Sequence, residues 1–142
     1  MQHIGIAVIG CGYWGLNLIR NFAEEPRAQV RWVCDLDANK LESVHRHYPS
    51  VRTTMQYEEV LADLQVEAIA IATPVQTHHA LARAALRAGK HLLVEKPLAD
   101  QAALAEDLVA QAQRYEGFYW WTTHFCIRAR SGTSNDSMRM AC

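Results

Sequence analysis

Short apolar runs alternate with amphipathic segments along most of this chain. The apolar runs are rich in Val, Ile and Ala, as expected for strands of a parallel sheet that is covered on both faces. The segments between them place apolar residues three or four positions apart, which is the spacing of a helix with one buried face. The pattern predicts strands at 4–9, 30–34, 51–54, 68–72 and 91–94, and helices at 16–23, 38–48, 57–64, 77–88 and 101–113.

The order of these segments predicts the fold class. Strand and helix alternate through five cycles, which is typical of an α/β protein with a doubly wound parallel sheet, the Rossmann arrangement. Asp37 and Asp100 stand where side chains cap helices, and Gly89 stands where a glycine ends one. The apolar spacing also places Leu64 and Ala88 on the buried faces of their helices.

A G-x-G-x-x-G sequence joins the first predicted strand to the first predicted helix. It reads Gly10, Cys11, Gly12, Tyr13, Trp14, Gly15. The first glycine permits a tight turn, the second lets a pyrophosphate approach the backbone, and the third lets the helix pack close to the strand. The helix that follows begins with unpaired N–H groups and the positive end of its dipole, where a diphosphate binds.

Asp35 follows the second predicted strand and completes the pattern of a dinucleotide site. A carboxylate at this position accepts hydrogen bonds from the hydroxyls of the adenosine ribose and repels a 2′-phosphate. The turn, its strand, its helix and this acid together predict NAD as the cofactor. The alternative is a purely structural turn beside a solvated Asp35.

Further polar residues follow the later strands, whose carboxyl ends meet the same edge of the sheet. Thr73 and Pro74 would line the path of the cofactor, and His78 lies one helical turn beyond them. Ligands of doubly wound sheets bind at this edge. For His78, an exposed or capping histidine is an equal alternative to a binding role.

Glu95, Lys96 and Pro97 directly follow the strand at 91–94. Glu and Lys are costly to bury alone, and together they can form a pair at the mouth of the site. A lysine there can hydrogen-bond a substrate hydroxyl and favour loss of its proton as hydride leaves. Pro97 restricts Lys96 to extended backbone. A solvated charge pair in a loop is the alternative.

Composition excludes several classes of protein. The chain has 142 residues, enough for one domain with a core, and a net charge of −1 that gives no reason to expect nucleic acid or an anionic membrane as partner. The histidines are scattered rather than spaced as ligands, so no metal is expected. No signal peptide and no membrane-length apolar run is present, which favours a cytoplasmic protein. The cysteines form no C-x-x-C pair, and Cys11 and Cys34 are interpreted as small buried residues.

Together these motifs resemble the Gfo/Idh/MocA family, named for glucose–fructose oxidoreductase, inositol dehydrogenase and a rhizopine catabolism protein. The resemblance rests on the turn with Asp35, on residues 72–91 and on residues 94–99, and covers residues 1 to about 113. It implies an NAD(P)-dependent oxidoreductase acting on a sugar, cyclitol or nucleotide-sugar hydroxyl, with Lys96 touching substrate and nicotinamide. The chain looks most like the nucleotide-sugar branch, which includes enzymes that oxidise C3 of UDP-N-acetylglucosaminuronate.

Members of this family continue into a second, mostly antiparallel domain that supplies a catalytic Asp and His, most substrate contacts and the usual oligomer interface. No residue of this chain is assigned those roles. We therefore expect residues 1–116 to be the NAD-binding half of a sugar or nucleotide-sugar dehydrogenase, inactive alone and able to form a homo-oligomer. The alternatives are an NAD(H)-binding sensor or regulatory module without chemistry and, disfavoured by the intact glycines and Asp35, a scaffold that has lost its cofactor.

The composition changes abruptly near residue 117, where four aromatic residues are followed by arginines, serines and late methionines without periodicity. The codons for residues 118–127, read from each third base, can spell Leu-Leu-Val-Asp-His-Thr-Phe-Leu-Tyr. That peptide looks like what the family carries after the last predicted helix. We therefore predict that residues 117–142 are a frame-shifted reading of the gene without an independent domain, and that 118–121 still form a sixth strand. A divergent tail is the alternative.

Overall fold

A five-stranded parallel sheet forms the body of the fold. The computed structural model describes residues 2–115 and, by their backbone, the strands at 119–122 and 125–128. The parallel strands are β1 (Ile4–Ile9), β2 (Ala28–Cys34), β3 (Arg52–Thr54), β4 (Ala68–Ile71) and β5 (His91–Val94). The helices are α1 (Tyr13–Glu24), α2 (Ala38–His47), α3 (Tyr57–Ala62), α4 (His78–Arg87) and α5 (Ala102–Arg114), with a 3₁₀ turn at Val75–Thr77 before α4.

The strand order is β3-β2-β1-β4-β5, and every neighbouring pair in this sheet is parallel. The chain moves outward from β1 to β2 and β3, then returns to the other side of β1 for β4 and β5. The order therefore reverses between β1 and β4, which is the point where such sheets bind ligands beyond the carboxyl ends of their strands. The predicted α/β doubly wound sheet is confirmed.

Helices cover both faces of the sheet, so β1 is buried on both sides. Ala7 and Ile9 pack in a cluster with residues of α3, α4 and α5, whereas Val8 packs in a second cluster with residues of α1 and α2. Large side chains in these clusters, such as Ile71 and Leu86, are fully buried. Each contributes about 1.5–3 kcal/mol relative to leaving it in water. Packing on both faces fixes the strands relative to each other, so that their carboxyl ends form one edge of the sheet.

The predicted helix ends are partly confirmed. Asp37 caps α2, because its side chain accepts hydrogen bonds from the backbone N–H groups of Asn39 at 2.9 Å and Lys40 at 3.4 Å. Gly89 follows α4 with a φ of +75°, as expected of a glycine after a helix. The prediction for Asp100 is wrong. The N-cap residue of α5 is Gln101, which makes no side-chain capping hydrogen bond.

Two predictions of buried positions are also wrong, because the helices end earlier than the apolar spacing suggests. α3 ends at Ala62, so Leu64 lies beyond it and is 91% exposed. α4 ends at Arg87, and Ala88 beyond it is exposed. The buried face of α4 is formed instead by His78, Ala82, Ala85 and Leu86.

Beyond α5, two further strands form an antiparallel pair. They are β6 (Tyr119–Thr122) and β7 (Phe125–Arg128), with Tyr119 opposite Arg128. β6 lies beside β5, near the sixth position that was predicted, but its hydrogen bonds join it to β7 in a separate two-stranded sheet. The rest of the predicted frame-shifted segment lies outside the described residues. None of the helices in the described part of the chain is long and apolar enough to cross a membrane.

Candidate functional site

The glycine-rich turn packs so tightly that two of its glycines tolerate no side chain. Gly10 has a φ of +91°, a conformation that L side chains rarely adopt. A Cβ atom added to Gly10 would lie 2.6 Å from the carbonyl oxygen of Ala72, and one added to Gly15 would lie 1.8 Å from the carbonyl oxygen of Gly10. The turn is also tied to β2, because Gly10 N–H donates to the Cys34 carbonyl at 2.8 Å.

Gly12 differs from these two glycines because the space around it is open. A Cβ atom added there would meet no protein atom within 4 Å. Gly12 is the N-cap residue of α1, where no side chain caps the helix and no acidic residue lies in the first turn. An open space in front of an uncapped helix N terminus fits a diphosphate, since backbone N–H groups and the helix dipole both favour an anion there.

Asp35 is held against the glycine-rich turn at the end of β2. Its Oδ2 accepts hydrogen bonds from the backbone N–H of Cys11 at 2.9 Å and from the Cys11 thiol at 3.3 Å. Its Oδ1 accepts one from the Asp37 N–H at 2.8 Å. Partial burial raises the pKa of Asp35, but these hydrogen bonds outweigh it and hold the pKa below its usual value. The half-buried carboxylate is therefore ionised and fixed in place.

Tyr13 and Trp14 open the first turn of α1 beside this space. Their side chains are 76% and 59% exposed. Their rings meet edge to face, with centroids 5.1 Å apart. The two rings are thus free to contact a bound ligand, whereas Cys11 between the glycines is buried.

The turn after β4 is organised by two hydroxyl groups. The Thr77 hydroxyl donates to the Pro74 carbonyl at 2.7 Å. Because its hydrogen is used there, the contact of 2.6 Å between the hydroxyls of Thr73 and Thr77 has Thr73 as the donor. The Thr73 oxygen keeps its acceptor capacity at the edge where β4 ends. Thr77 was not identified in the sequence, although its place in the T-P-x-x-T pattern could have indicated such a turn.

His78 joins the turn after β4 to the turn after β5. Its Nε2 lies 2.7 Å from the Thr73 carbonyl oxygen, and its Nδ1 lies 2.8 Å from the Pro97 carbonyl oxygen. The residue is only 1% exposed, so the alternative of an exposed histidine is wrong. His78 is a buried link between Thr73 and Pro97, and both of its nitrogens point at protein atoms.

Glu95 and Lys96 leave the sheet at the same edge. The Glu95 N–H donates to the Ile71 carbonyl at 2.9 Å, which extends the pairing of β4 with β5. The Lys96–Pro97 peptide bond is cis, and the Lys96 side chain is exposed. The predicted ion pair is wrong, since none of the ion pairs among the described residues joins Glu95 to Lys96.

A buried lysine at the amino ends of the strands, away from the site, was not identified from the sequence. Lys90 is 4% exposed, and its ammonium donates to the carbonyl oxygens of Asp63 and Val66, both at 2.8 Å. Burial lowers the pKa of Lys90, and the charge of Asp63 opposes that shift. Its place before β5 carried no signal of this role, which is to fix the loop before β4. Within residues 2–115, no group of three or more His, Cys, Asp or Glu side chains could hold a metal ion.

Comparison with known proteins agrees with this geometry. Residues 4–123 match the sequence profile of the Gfo/Idh/MocA family, described as "Oxidoreductase family, NAD-binding Rossmann fold". A "Glycosyl hydrolase family 109 protein" of Shewanella amazonensis is 32% identical over 122 residues, covering 80% of this chain and 27% of the relative. A "UDP-N-acetylglucosamine 3-dehydrogenase" of Acidithiobacillus ferrooxidans is 34% identical over 118 residues, covering 80% of this chain and 34% of the relative.

The solved structure of GenD2 from gentamicin A biosynthesis, in complex with NAD, has the same fold. It superposes with a TM-score of 0.81 at 32% identity, covering 86% of this chain and 34% of that chain. The chain thus spans about a quarter to a third of the length of the proteins that it matches. The chain belongs to the Gfo/Idh/MocA oxidoreductase family, and it carries that family's NAD-binding Rossmann domain.

Proposed function

We propose that this chain is the cofactor half of an oxidoreductase that transfers hydride between NAD and a hydroxyl of a sugar or nucleotide sugar. The observation that carries the proposal is the open space at Gly12, which lies in front of the uncapped N terminus of α1. The ionised carboxylate of Asp35 is fixed beside it by the same turn. The relative described as a UDP-N-acetylglucosamine 3-dehydrogenase supports a nucleotide-sugar substrate.

Different residues at the carboxyl edge of the sheet bind different parts of NAD. Backbone N–H groups at the start of α1 bind the diphosphate, and Asp35 accepts hydrogen bonds from the adenosine ribose. Thr73, with its acceptor oxygen, and Pro74 line the path toward the nicotinamide. The exposed rings of Tyr13 and Trp14 cover the diphosphate end.

Lys96 is the catalytic residue of the proposal. When bound, NAD supplies the hydride acceptor, or as NADH the hydride donor. The exposed ammonium of Lys96 donates a hydrogen bond to the reacting hydroxyl and stabilises the negative charge that develops on its oxygen. Glu95 and His78 act on this chemistry through the backbone, because Glu95 continues the pairing with β4 and His78 holds the Pro97 carbonyl.

The same proposal makes the chain incomplete as a catalyst. The described residues supply a lysine and a cofactor site, but none of them is assigned the catalytic Asp and His that the family resemblance implies for a second domain. We propose that the substrate-binding part lies in a further domain, that residues 1–116 bind NAD without turnover, and that any homo-oligomer forms through that domain. A sensor or regulatory module would also bind NADH, but it would have no use for Lys96.

A substitution at Gly12 tests the cofactor site directly. We expect Gly12→Val to weaken NADH binding at least tenfold, because the new side chain fills the space that the diphosphate needs (about 1.4 kcal/mol or more). It should leave the fold intact, since a Cβ there meets no protein atom within 4 Å. Binding is measured by calorimetric titration and folding by urea denaturation. Gly15→Val is the matched control, expected to destabilise the fold itself. Undiminished binding by Gly12→Val would overturn the proposal.

A further inference from the structure

The side chain of Cys11 lies between the glycine-rich turn and the carboxylate of Asp35. The backbone N–H and the thiol of this one residue both donate to Oδ2, at 2.9 Å and 3.3 Å. Cys11 is 2% exposed, so water does not compete for its sulfur. The other carboxylate oxygen, Oδ1, accepts from the Asp37 N–H at 2.8 Å. The carboxylate of Asp35 thus accepts hydrogen bonds both from the glycine-rich turn and from the backbone that follows β2.

These donors leave an unequal acceptor capacity on the two oxygens. An ionised carboxylate offers about four lone-pair positions, two on each oxygen. Cys11 fills both positions on Oδ2, and Asp37 fills one on Oδ1. The remaining position is on Oδ1. Cys11 therefore determines which oxygen of Asp35 is free for an incoming hydroxyl.

The chemistry of the thiol suits this role as a donor. Burial, the hydrogen bond to Asp35 and the charge of that residue together raise the pKa of the Cys11 thiol to about 12. The thiol therefore stays protonated at neutral pH, and it is a donor rather than a nucleophile. Cys34, one residue before Asp35, is also buried, but its thiol makes no hydrogen bond to the carboxylate.

We propose that Cys11 is a positioning residue for the cofactor ribose: it holds Oδ2 of Asp35 against the turn and so presents Oδ1 to a ribose hydroxyl. The inference rests on the proposed role of Asp35 in binding NAD. It adds that Cys11 contributes to the choice between NAD and NADP. A 2′-phosphate would meet an anionic oxygen that cannot rotate away, so a fixed carboxylate rejects it more strongly than a mobile one.

The test compares Cys11→Ala, which removes the donor, with Cys11→Ser, which keeps one. Cys34→Ala is the matched control, because it deletes the same buried group one residue from Asp35 without removing a hydrogen bond. Two quantities are measured on the whole chain. They are the pKa of the Asp35 carboxyl by carbon NMR without cofactor, and the ratio of the NADPH and NADH dissociation constants by titration.

We expect Cys11→Ala to raise the pKa of Asp35. It should also lower the ratio of the NADPH dissociation constant to the NADH dissociation constant by about two- to fivefold, as expected for the loss of one weak hydrogen bond. Cys11→Ser should restore both quantities, and Cys34→Ala should change neither. If Cys11→Ala leaves both unchanged, or if Cys34→Ala changes them equally, the inference is overturned. Asp35→Asn separates the role of Asp35 from that of Cys11. An unchanged ratio of the two dissociation constants in Asp35→Asn overturns the role of Asp35 itself. A changed ratio in Asp35→Asn, together with no effect of Cys11→Ala, overturns only the inference about Cys11.

Discussion

His78 holds the carbonyl oxygen of Pro97 at 2.8 Å from its Nδ1, although 19 positions separate the two residues in the sequence. Its other ring nitrogen faces the Thr73 carbonyl at 2.7 Å. One buried ring thus sets the distance between the turn that lines the cofactor path and the turn that carries Lys96. The two turns belong to neighbouring strands, so small movements of either would change where the lysine stands relative to the cofactor.

Replacing this ring should affect both stability and cofactor binding. A neutral imidazole carries one N–H, so His78→Leu removes the hydrogen-bond donor of one of the two carbonyl groups, Thr73 or Pro97, together with a buried ring. We expect this to cost about 2 kcal/mol of unfolding free energy. It should also weaken NADH binding several-fold, because the turns are no longer held together. Urea denaturation and calorimetric titration measure the two effects.

His79→Leu is the control for this experiment. His79 contacts the Asp107 carboxylate at 2.7 Å and so joins α4 to α5 rather than the two turns. We expect that variant to lose stability and to keep its NADH affinity. Unaltered affinity in His78→Leu would remove His78 from the cofactor site and leave it as a residue of the core.

Asp35 should make the protein prefer NAD over NADP. Its ionised, half-buried carboxylate would face a 2′-phosphate with like charge, which we expect to discriminate by about 1–3 kcal/mol. Asp35→Asn should reduce that difference, mainly by tightening NADPH binding. Asp37→Asn is the control, because it removes the same charge two residues away and keeps an amide oxygen that can cap α2. Equal affinities of the parent chain for NADH and NADPH would contradict the prediction.

The Lys96 side chain should act on hydride transfer far more than on cofactor affinity. In a longer form of the protein that carries a substrate-binding domain, we expect Lys96→Ala to lower the single-turnover rate by about 10²- to 10⁴-fold. NADH affinity should change little, since the ammonium acts chiefly on the charge that develops in the transition state. Lys96→Arg keeps the charge and should retain part of the rate. A normal single-turnover rate in Lys96→Ala would leave the turn as a structural element.

The parts of the site that depend on neighbours in sequence could be predicted, and the parts that depend on distant contacts could not. Gly10 and Gly15 were identified because a tight strand-to-helix turn needs glycine at fixed spacing, and the backbone of the turn occupies the space of any side chain there. The link from His78 to Pro97 and the burial of Lys90 arise only when β4 and β5 pair. Nothing in the local pattern of either residue indicates its distant acceptors.

The exact ends of the helices could not be predicted from the local sequence either. Apolar spacing favoured Leu64 and Ala88 as buried residues, yet each lies just past the last turn of its helix. Asp100 is a better capping residue than Gln101 by its chemistry, yet α5 begins one residue later, with Gln101 as its N-cap. Apolar spacing and capping preference therefore locate these helices but do not fix their terminal residues.

Residues 118–126 carry a signature of a reading-frame change in the gene. Trp has a single codon, so the codons of Trp120, Trp121 and Thr122 read from each third base give Val and then Asp. Phe118, Tyr119 and Trp120 give Leu and Leu in the same frame, and Phe125 with Cys126 gives Leu. Five positions are thus forced by the amino-acid sequence, and all of them match the peptide that the family resemblance implies after the last predicted helix. The presence of β6 does not decide between the frames, because aromatic residues and Leu-Leu-Val both favour strands.

Sequencing the gene around codons 114–126 decides the matter. We expect a single-base insertion or deletion near codon 117, downstream of which the shifted frame spells Leu-Leu-Val-Asp-His-Thr-Phe-Leu-Tyr and continues into an antiparallel domain. Expression of the corrected frame should then add substrate-dependent reduction of NAD, which the 142-residue chain is expected to lack. The variable positions are the informative ones: the Thr122 codon must end in C to give His, and the Thr123 codon must end in A to give Thr. Other bases there, or an uninterrupted frame in independent copies of the gene, would establish residues 117–142 as a divergent tail of the native protein.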